Sequence, residues 1–218
     1  MIPMIPTMMM KMTPRVRLTA FTCALLLAPP VARAAPGSGP TATLRAYKER
    51  LDKLLKKKGE APVDSEAVKE LAAQLFDYRE LARRSLAQHW DKLTADKQQE
   101  FTRTFSQMLE KNYARQLRSN LDYEVIYKNE AVTGEEATVA SVIKARTRGK
   151  TTDVSIDYKM KREGERWRVY DIITDEVSMV RNYRAQFNKI ITTESYDALL
   201  AKMRKRIADG DAAAKSPQ

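Results

Sequence analysis

The sequence predicts an α+β fold: helices, then an antiparallel four-stranded meander, then a C-terminal helical pair that covers the sheet. Three observations carry this. Apolar residues recur at three and four as far as Asn120, at two from Tyr123 to Ile173, and at three and four again from Val177. Gly134, Gly149 and Gly164 fall between successive alternating runs, where a hairpin needs positive φ. The two periods meet without a gap in WRVYDIITDEVSMVRNYRAQF, residues 167–187, so the last strand feeds directly into a helix that returns over the sheet.

The first 34 residues stand apart from that domain. Lys11, Arg15 and Arg17 precede an apolar run from Leu18 to Ala28, and Ala32-Arg33-Ala34 offers small residues where a signal peptidase reads. The run is too short for a permanent membrane anchor. Residues 1–34 are therefore expected to be a secretory signal cleaved near Ala34, with Met10 or Met12 fitting best as its start. Cleavage removes Lys11, Arg15, Arg17 and Arg33 and no acid, so the formal net charge falls from +11 to +7. It also removes Cys23, the only cysteine. Ala20, Phe21 and Thr22 before it lack the leucine and small-residue pattern of a lipoprotein acylation site. An exported chain without thiols has no disulfide framework, no thiolate nucleophile and no cysteine metal site.

Residues 35–43 are rich in Ala, Pro, Gly, Ser and Thr and read as a flexible leader. A single domain is expected over 44–209. Leu44, Tyr47, Leu51, Leu54 and Leu55 share one helical face that ends in Lys56-Lys57-Lys58-Gly59. Pro62 and Asp64 start a second helix through Val68, Leu71 and Leu75, and a third spans Asp77 to Trp90 with Leu81, Leu86 and Trp90 inward. Thr94 caps the longest, whose stripe is Phe101, Phe105, Met108, Leu109, Tyr113 and Leu117.

The strands follow. Tyr123, Val125 and Tyr127 alternate with charged neighbours, then Val139, Ser141 and Ile143, then Val154, Ile156, Tyr158 and Met160. In the fourth, Trp167, Val169 and Ile173 are expected on one face with Asp171 intruding there, and Arg168, Tyr170 and Ile172 on the other. Thr174, Asp175 and Glu176 supply acceptors and negative charge for a helix start. That helix carries Val177, Val180, Tyr183, Phe187 and Ile190, and a last one carries Tyr196, Leu199, Leu200, Met203 and Ile207. Residues 210–218 are expected to be a disordered tail.

Catalytic constellations are absent. The sequence has no GxSxG elbow, no HExxH and no phosphate-cradling glycine loop. His89, the only histidine, reads as a capping or packing residue. Asp171 is the one carboxylate placed to act as a base in a cavity, but a hydrogen bond to a neighbouring helix start explains it more simply. No catalytic residue, metal ligand or cofactor is expected. Basic groups at Arg79, Arg83 and Arg84, at Arg115 and Arg118, and at 202–206 are spread over many elements. Nucleic-acid binding wants them on one face with aromatics between, so no nucleic-acid partner is expected.

Several of these residues resemble a family. Phe76-Asp77-Tyr78, Leu81-Ala82, Leu86, Trp90, Gln99-Glu100-Phe101 and the Tyr123–Tyr127 strand are similar to the periplasmic auxiliary proteins of Mla-type ABC transporters, the MlaC or toluene-tolerance family. The resemblance is strongest in Trp167-Arg168-Val169-Tyr170-Asp171 and in Val177 to Phe187, and it covers roughly residues 65 to 207. One departure is Glu176, where the family usually has glycine, so a side chain there reshapes the strand-to-helix turn. The resemblance implies a periplasmic phospholipid carrier with no catalytic role. It would shuttle lipid between an inner-membrane Mla-type ABC transporter complex and an outer-membrane lipoprotein complex. A related branch is associated with hopanoids.

A carrier of that kind must hide acyl chains from water, at roughly 0.8 kcal/mol per buried methylene. A curved sheet covered by helices can enclose such a cavity. Its expected lining is Phe105, Leu109 and Tyr113 from the long helix, Val139, Ile143, Val154, Ile156 and Tyr158 from the sheet, and Val180, Tyr183 and Phe187 from the returning helix. Arg181 and Arg184 are the candidate head-group or partner contacts. Periodicity does not distinguish a hollow interior from a packed one, so a non-catalytic interaction module with a solid core stands as the alternative.

Overall fold

The computed structural model describes residues 39–56, 65–119, 123–147 and 150–215, with side chains described over most of that span. The signal at 1–34, the helix start at Pro62 and Asp64, and Gly149 lie outside the described residues, as do the side chains of Tyr113 and Leu117. The described chain runs α1 (Pro40–Lys56), α2 (Ser65–Leu75), α3 (Tyr78–Leu86), a 3-10 turn (Ala87–Lys92) and α4 (Ala95–Ser119). Then come β1 (Tyr123–Thr133), β2 (Glu136–Thr147), β3 (Lys150–Glu163), β4 (Arg166–Thr174) and β5 (Val177–Ser178), followed by α5 (Met179–Thr193) and α6 (Tyr196–Lys215). The α+β class is as expected. The sheet is a meander in the order β1-β2-β3-β4-β5, antiparallel throughout.

It has five strands, not four. Asp175 and Glu176 take φ values of 45° and 69°, a tight turn with two consecutive left-handed residues. The chain therefore doubles back, and Val177 and Ser178 pair with Thr174 and Ile173 before the helix begins. Val177, expected at the head of the helical stripe, is instead 62% exposed. Asp175 anchors the turn to β3: its N–H donates to the Ser155 carbonyl at 3.0 Å, and its Oδ1 accepts from the Ser155 N–H at 3.1 Å. Ser178 Oγ then caps α5 by accepting from the Arg181 N–H at 3.0 Å.

Other boundaries also move. The first turn of α1 is residues 40–43, expected in the leader, because Glu130 of β1 supplies an acceptor for the Thr41 N–H at 2.8 Å. α6 continues to Lys215, through the start of the expected tail. The helix expected over Asp77–Trp90 breaks at Ala87, φ 48°, and the 3-10 turn that follows swings Trp90 into the core at 4% exposure. Gln98 closes that end by donating to the Trp90 carbonyl at 3.1 Å. At the start of α3, Asp77 accepts from the Glu80 N–H at 2.9 Å.

Two bulges bend the sheet. One lies between Tyr127 and Asn129 of β1, the other at Tyr170 of β4, opposite the step from Lys159 to Met160. The second reverses the alternation of β4. Val169 pairs with Met160, but beyond the bulge Ile172 pairs with Tyr158, and Asp171 falls opposite Lys159. Ile172 therefore shares the face of Val169, contrary to the simple alternation, and Asp171 does not.

The main core lies between the inner face of the sheet and helices α3 to α6. Ala137, Val139, Met160, Trp167 and Val169 meet Leu81, Leu86, Phe101, Phe105, Val180, Phe187 and Leu199 there. Phe101, Phe105, Tyr183 and Phe187 form its aromatic centre, with ring centroids 4.9–5.6 Å apart. A smaller cluster of Leu51, Val68 and Leu71 joins α1 to α2.

Candidate functional site

The inner face of the sheet divides into two halves. Register places Ala137, Val139, Ser141 and Ile143 of β2 on one side, opposite Met160, Tyr158, Ile156 and Val154 of β3. Val125 and Tyr127 of β1 join them through Ile143 and Ser141. At the end nearest the β1–β2 hairpin the face is closed: Val139, Met160 and Val169 are each 0% exposed. Towards the other end it opens. Val125, Ile143, Val154 and Ile156 are half-buried and, among the described residues, stand outside both packed clusters. Tyr127, Tyr158 and Ile172 lie between, half-buried and packed against the edge of the core.

The expected lining residues separate along this division. Phe105, Val139, Val180 and Phe187 belong to the packed core. Leu109, Tyr158 and Tyr183 are half-buried at its margin, and Ile143, Val154 and Ile156 line the open half. The first four pack against the other buried residues of that core. Val125, Tyr127 and Ile172 share the face and were not among the expected lining. The alternation of β1 was a sufficient signal for the first two, whereas the bulge hid Ile172.

Helix α1 borders the open half along β1. The Arg45 guanidinium carbon lies 4.8 Å from the Tyr127 ring centroid, and Lys48 Nζ lies 4.7 Å from that of Tyr123. Lys48 is also paired with Asp52 at 2.6 Å. The cations that the sequence singles out as head-group or partner contacts sit elsewhere. Arg181 and Arg184 are both exposed, and each donates to a backbone carbonyl, Glu176 at 3.2 Å and Arg84 at 3.0 Å respectively.

The buried polar groups hold the scaffold. Asp171, 7% exposed, accepts from the Ser178 hydroxyl at 2.6 Å and from the Val180 N–H at 3.0 Å, so both its oxygens are committed to the start of α5. That is the structural role expected of it. Glu80, 8% exposed, receives Arg83 at 2.7 and 2.8 Å and Arg84 at 2.8 Å. The Arg83 hydrogen bonds draw its carboxyl down to about 2, with burial opposing and Arg84 assisting. Arg84 also reaches Glu136 at 2.7 Å and lies 3.9 Å over the Tyr170 ring. Burial pushes the Glu110 carboxyl up, opposed by a hydrogen bond from Tyr78, and pushes the Tyr196 hydroxyl up to about 12. His89 pairs through Nε2 with Asn188 Oδ1 at 2.9 Å, joining the 3-10 turn to α5. Among the described residues no group of three or more His, Cys, Asp or Glu is placed to hold a metal ion. Nor is any helix among them long and apolar enough to cross a membrane.

The motif residues likewise make the frame. Phe76 bridges to Val169 in parallel, Asp77 donates its N–H to the Val169 carbonyl at 2.9 Å, and Arg168 donates to the carbonyls of Ala73 and Phe76 at 2.9 and 2.5 Å. Together they close the free edge of β4 with the α2–α3 corner.

A family model described as "MlaC protein" matches residues 44–205. Among solved structures, the phospholipid-binding protein from Ralstonia solanacearum in complex with a phospholipid is similar in fold. Its TM-score is 0.66 at 21% identity, and the match covers 78% of this chain and 97% of that one. A de novo designed protein with a curved β-sheet matches at a TM-score of 0.26 and 12% identity over 57% of this chain and 95% of its own, too distant to bear on function. No curated protein matches the chain.

Proposed function

The chain belongs to the MlaC family, and we propose that it is a periplasmic carrier that binds a phospholipid by its acyl chains on the open half of the inner sheet face. The observation that carries the reading is the row Val125, Ile143, Val154 and Ile156. These four aliphatic side chains share one face, half-buried and outside the packed core, beside an aromatic wall. The phospholipid-bound structure of similar fold supports lipid as the occupant. Burying one long acyl chain there is worth on the order of 10 kcal/mol, enough to keep a lipid on the protein in water.

Family and sequence support a wider role. The chain would be exported by its N-terminal signal and carry lipid between an inner-membrane Mla-type ABC transporter complex and an outer-membrane lipoprotein complex. Directional energy would come from those partners, since the sequence has no nucleotide-binding motif. The engagement of both Asp171 oxygens supports a non-catalytic protein. The test is extraction of a self-quenched fluorescent phospholipid from vesicles by the mature protein. The wild type should dequench the vesicles. Ile156→Trp, which fills the open face, should lose most of that activity while melting as the wild type does. Equal extraction by both proteins, or none by the wild type, contradicts the proposal.

A further inference from the structure

We propose that Arg45 and Lys48 of α1 form the phosphate-binding rim of this apolar site. The inference rests on the phospholipid reading above and goes beyond it by assigning the polar end of the ligand. Helix α1 runs antiparallel to β1 and is pinned at its start by Glu130. Arg45 and Lys48 lie over Tyr127 and Tyr123, which flank Val125 on the inner face of β1. Val125 in turn opens the row Val125–Ile143–Val154. The two positive charges therefore stand on either side of one end of the aliphatic row, at the edge where it meets solvent.

The chemistry of the pair suits a phosphodiester. A guanidinium over a ring face keeps its N–H edge directed outward, and that edge matches two phosphate oxygens. The stacking fixes the Arg45 side chain before a ligand arrives, so less side-chain freedom is lost on binding. Lys48 adds a point charge three residues on. Its contact with Asp52 is a partly exposed i,i+4 pair, a weak competitor for a phosphate. Arg181 and Arg184, by contrast, donate to backbone carbonyls of the β4–β5 turn and of α3.

The experiment is native mass spectrometry of the mature protein offered equal amounts of dioleoyl phosphatidylglycerol and dioleoylglycerol, which share their chains and differ in the phosphate head. The wild type should take the phospholipid in preference by at least about tenfold, the worth of one charge-assisted hydrogen bond. Arg45→Gln/Lys48→Gln, which keeps apolar stems over the rings, should bring the ratio near one while still taking the diacylglycerol. Arg45→Lys/Lys48→Arg should restore the preference. A neutral double variant with the wild-type ratio overturns the assignment, as does parallel loss of both lipids, which marks a packing role. A wild type that takes both lipids equally overturns it while leaving the carrier reading intact, whereas one that takes neither defeats the carrier reading itself. Glycerol phosphate alone is the remaining arm. If it shifts the Tyr123 and Tyr127 ring signals while the lipid ratio ignores both cations, the rim is a free-anion site and the head-group assignment fails.

Discussion

Glu80 is a charged group held almost out of water, and it remains charged because Arg83 and Arg84 both reach it from the next turn of the same helix. Its carboxyl sits at about 2 in the folded protein against an ordinary 4.5. A depressed folded value means the stabilisation is present above about 4.5 and is lost as pH falls towards about 2. Glu80→Gln should therefore lower stability at neutral pH by on the order of 2 kcal/mol and flatten the acid limb of a denaturant series over that window. An acid limb as steep as the wild type's would contradict this. The sequence shows Arg79, Arg83 and Arg84 around Glu80, and there they read only as part of a positive charge spread over many elements. Helical spacing places Glu80 near Arg83 and Arg84, but the contacts that hold Arg84 there, with Glu136 and the Tyr170 ring, come from residues about 50 or more positions away.

The β4–β5 turn is the element that sequence reading simplified most. Alternation followed by a helical stripe implied a direct passage from strand to helix, and the departure at Glu176 pointed to the turn without giving its form. The turn puts Glu176 at φ 69°, where a β-carbon is disfavoured and glycine is at ease. Glu176→Gly should raise stability by about 1 kcal/mol, read as a shift in denaturation midpoint at unchanged slope. Destabilisation instead would mean that the Glu176 side chain contributes more than its backbone strain. Bulges are the other feature that period-two reasoning misses. One extra residue at Tyr170 exchanged the faces of Ile172 and Asp171, so a strand legible as a strand was assigned a wrong face beyond its midpoint. Helix stripes fared better, because Phe101, Phe105 and Met108 must repeat over several turns to reach one core.

At the scale of the molecule, lipid binding depends on whether the inner sheet face is filled throughout. The sequence alone points to one set of inward residues. Packing separates that set into a dense centre around Phe105, Val139, Val180 and Phe187 and an open row at Ile143, Val154 and Ile156. Hydrophobicity and period are the same in both groups, so nothing local could have divided them. What divides them is packing against residues distant in sequence, which the first group has in the core cluster. The same three-dimensional origin explains why Arg45 and Lys48 drew no notice in an N-terminal helix 75 or more residues away from the tyrosines they cover. The central claim is tested most directly by native mass spectrometry of the gently purified mature protein, followed by solvent extraction of whatever accompanies it. The account predicts a stoichiometric adduct that extraction identifies as phospholipid. A bare protein mass, unchanged after exposure to phospholipid vesicles, would contradict it.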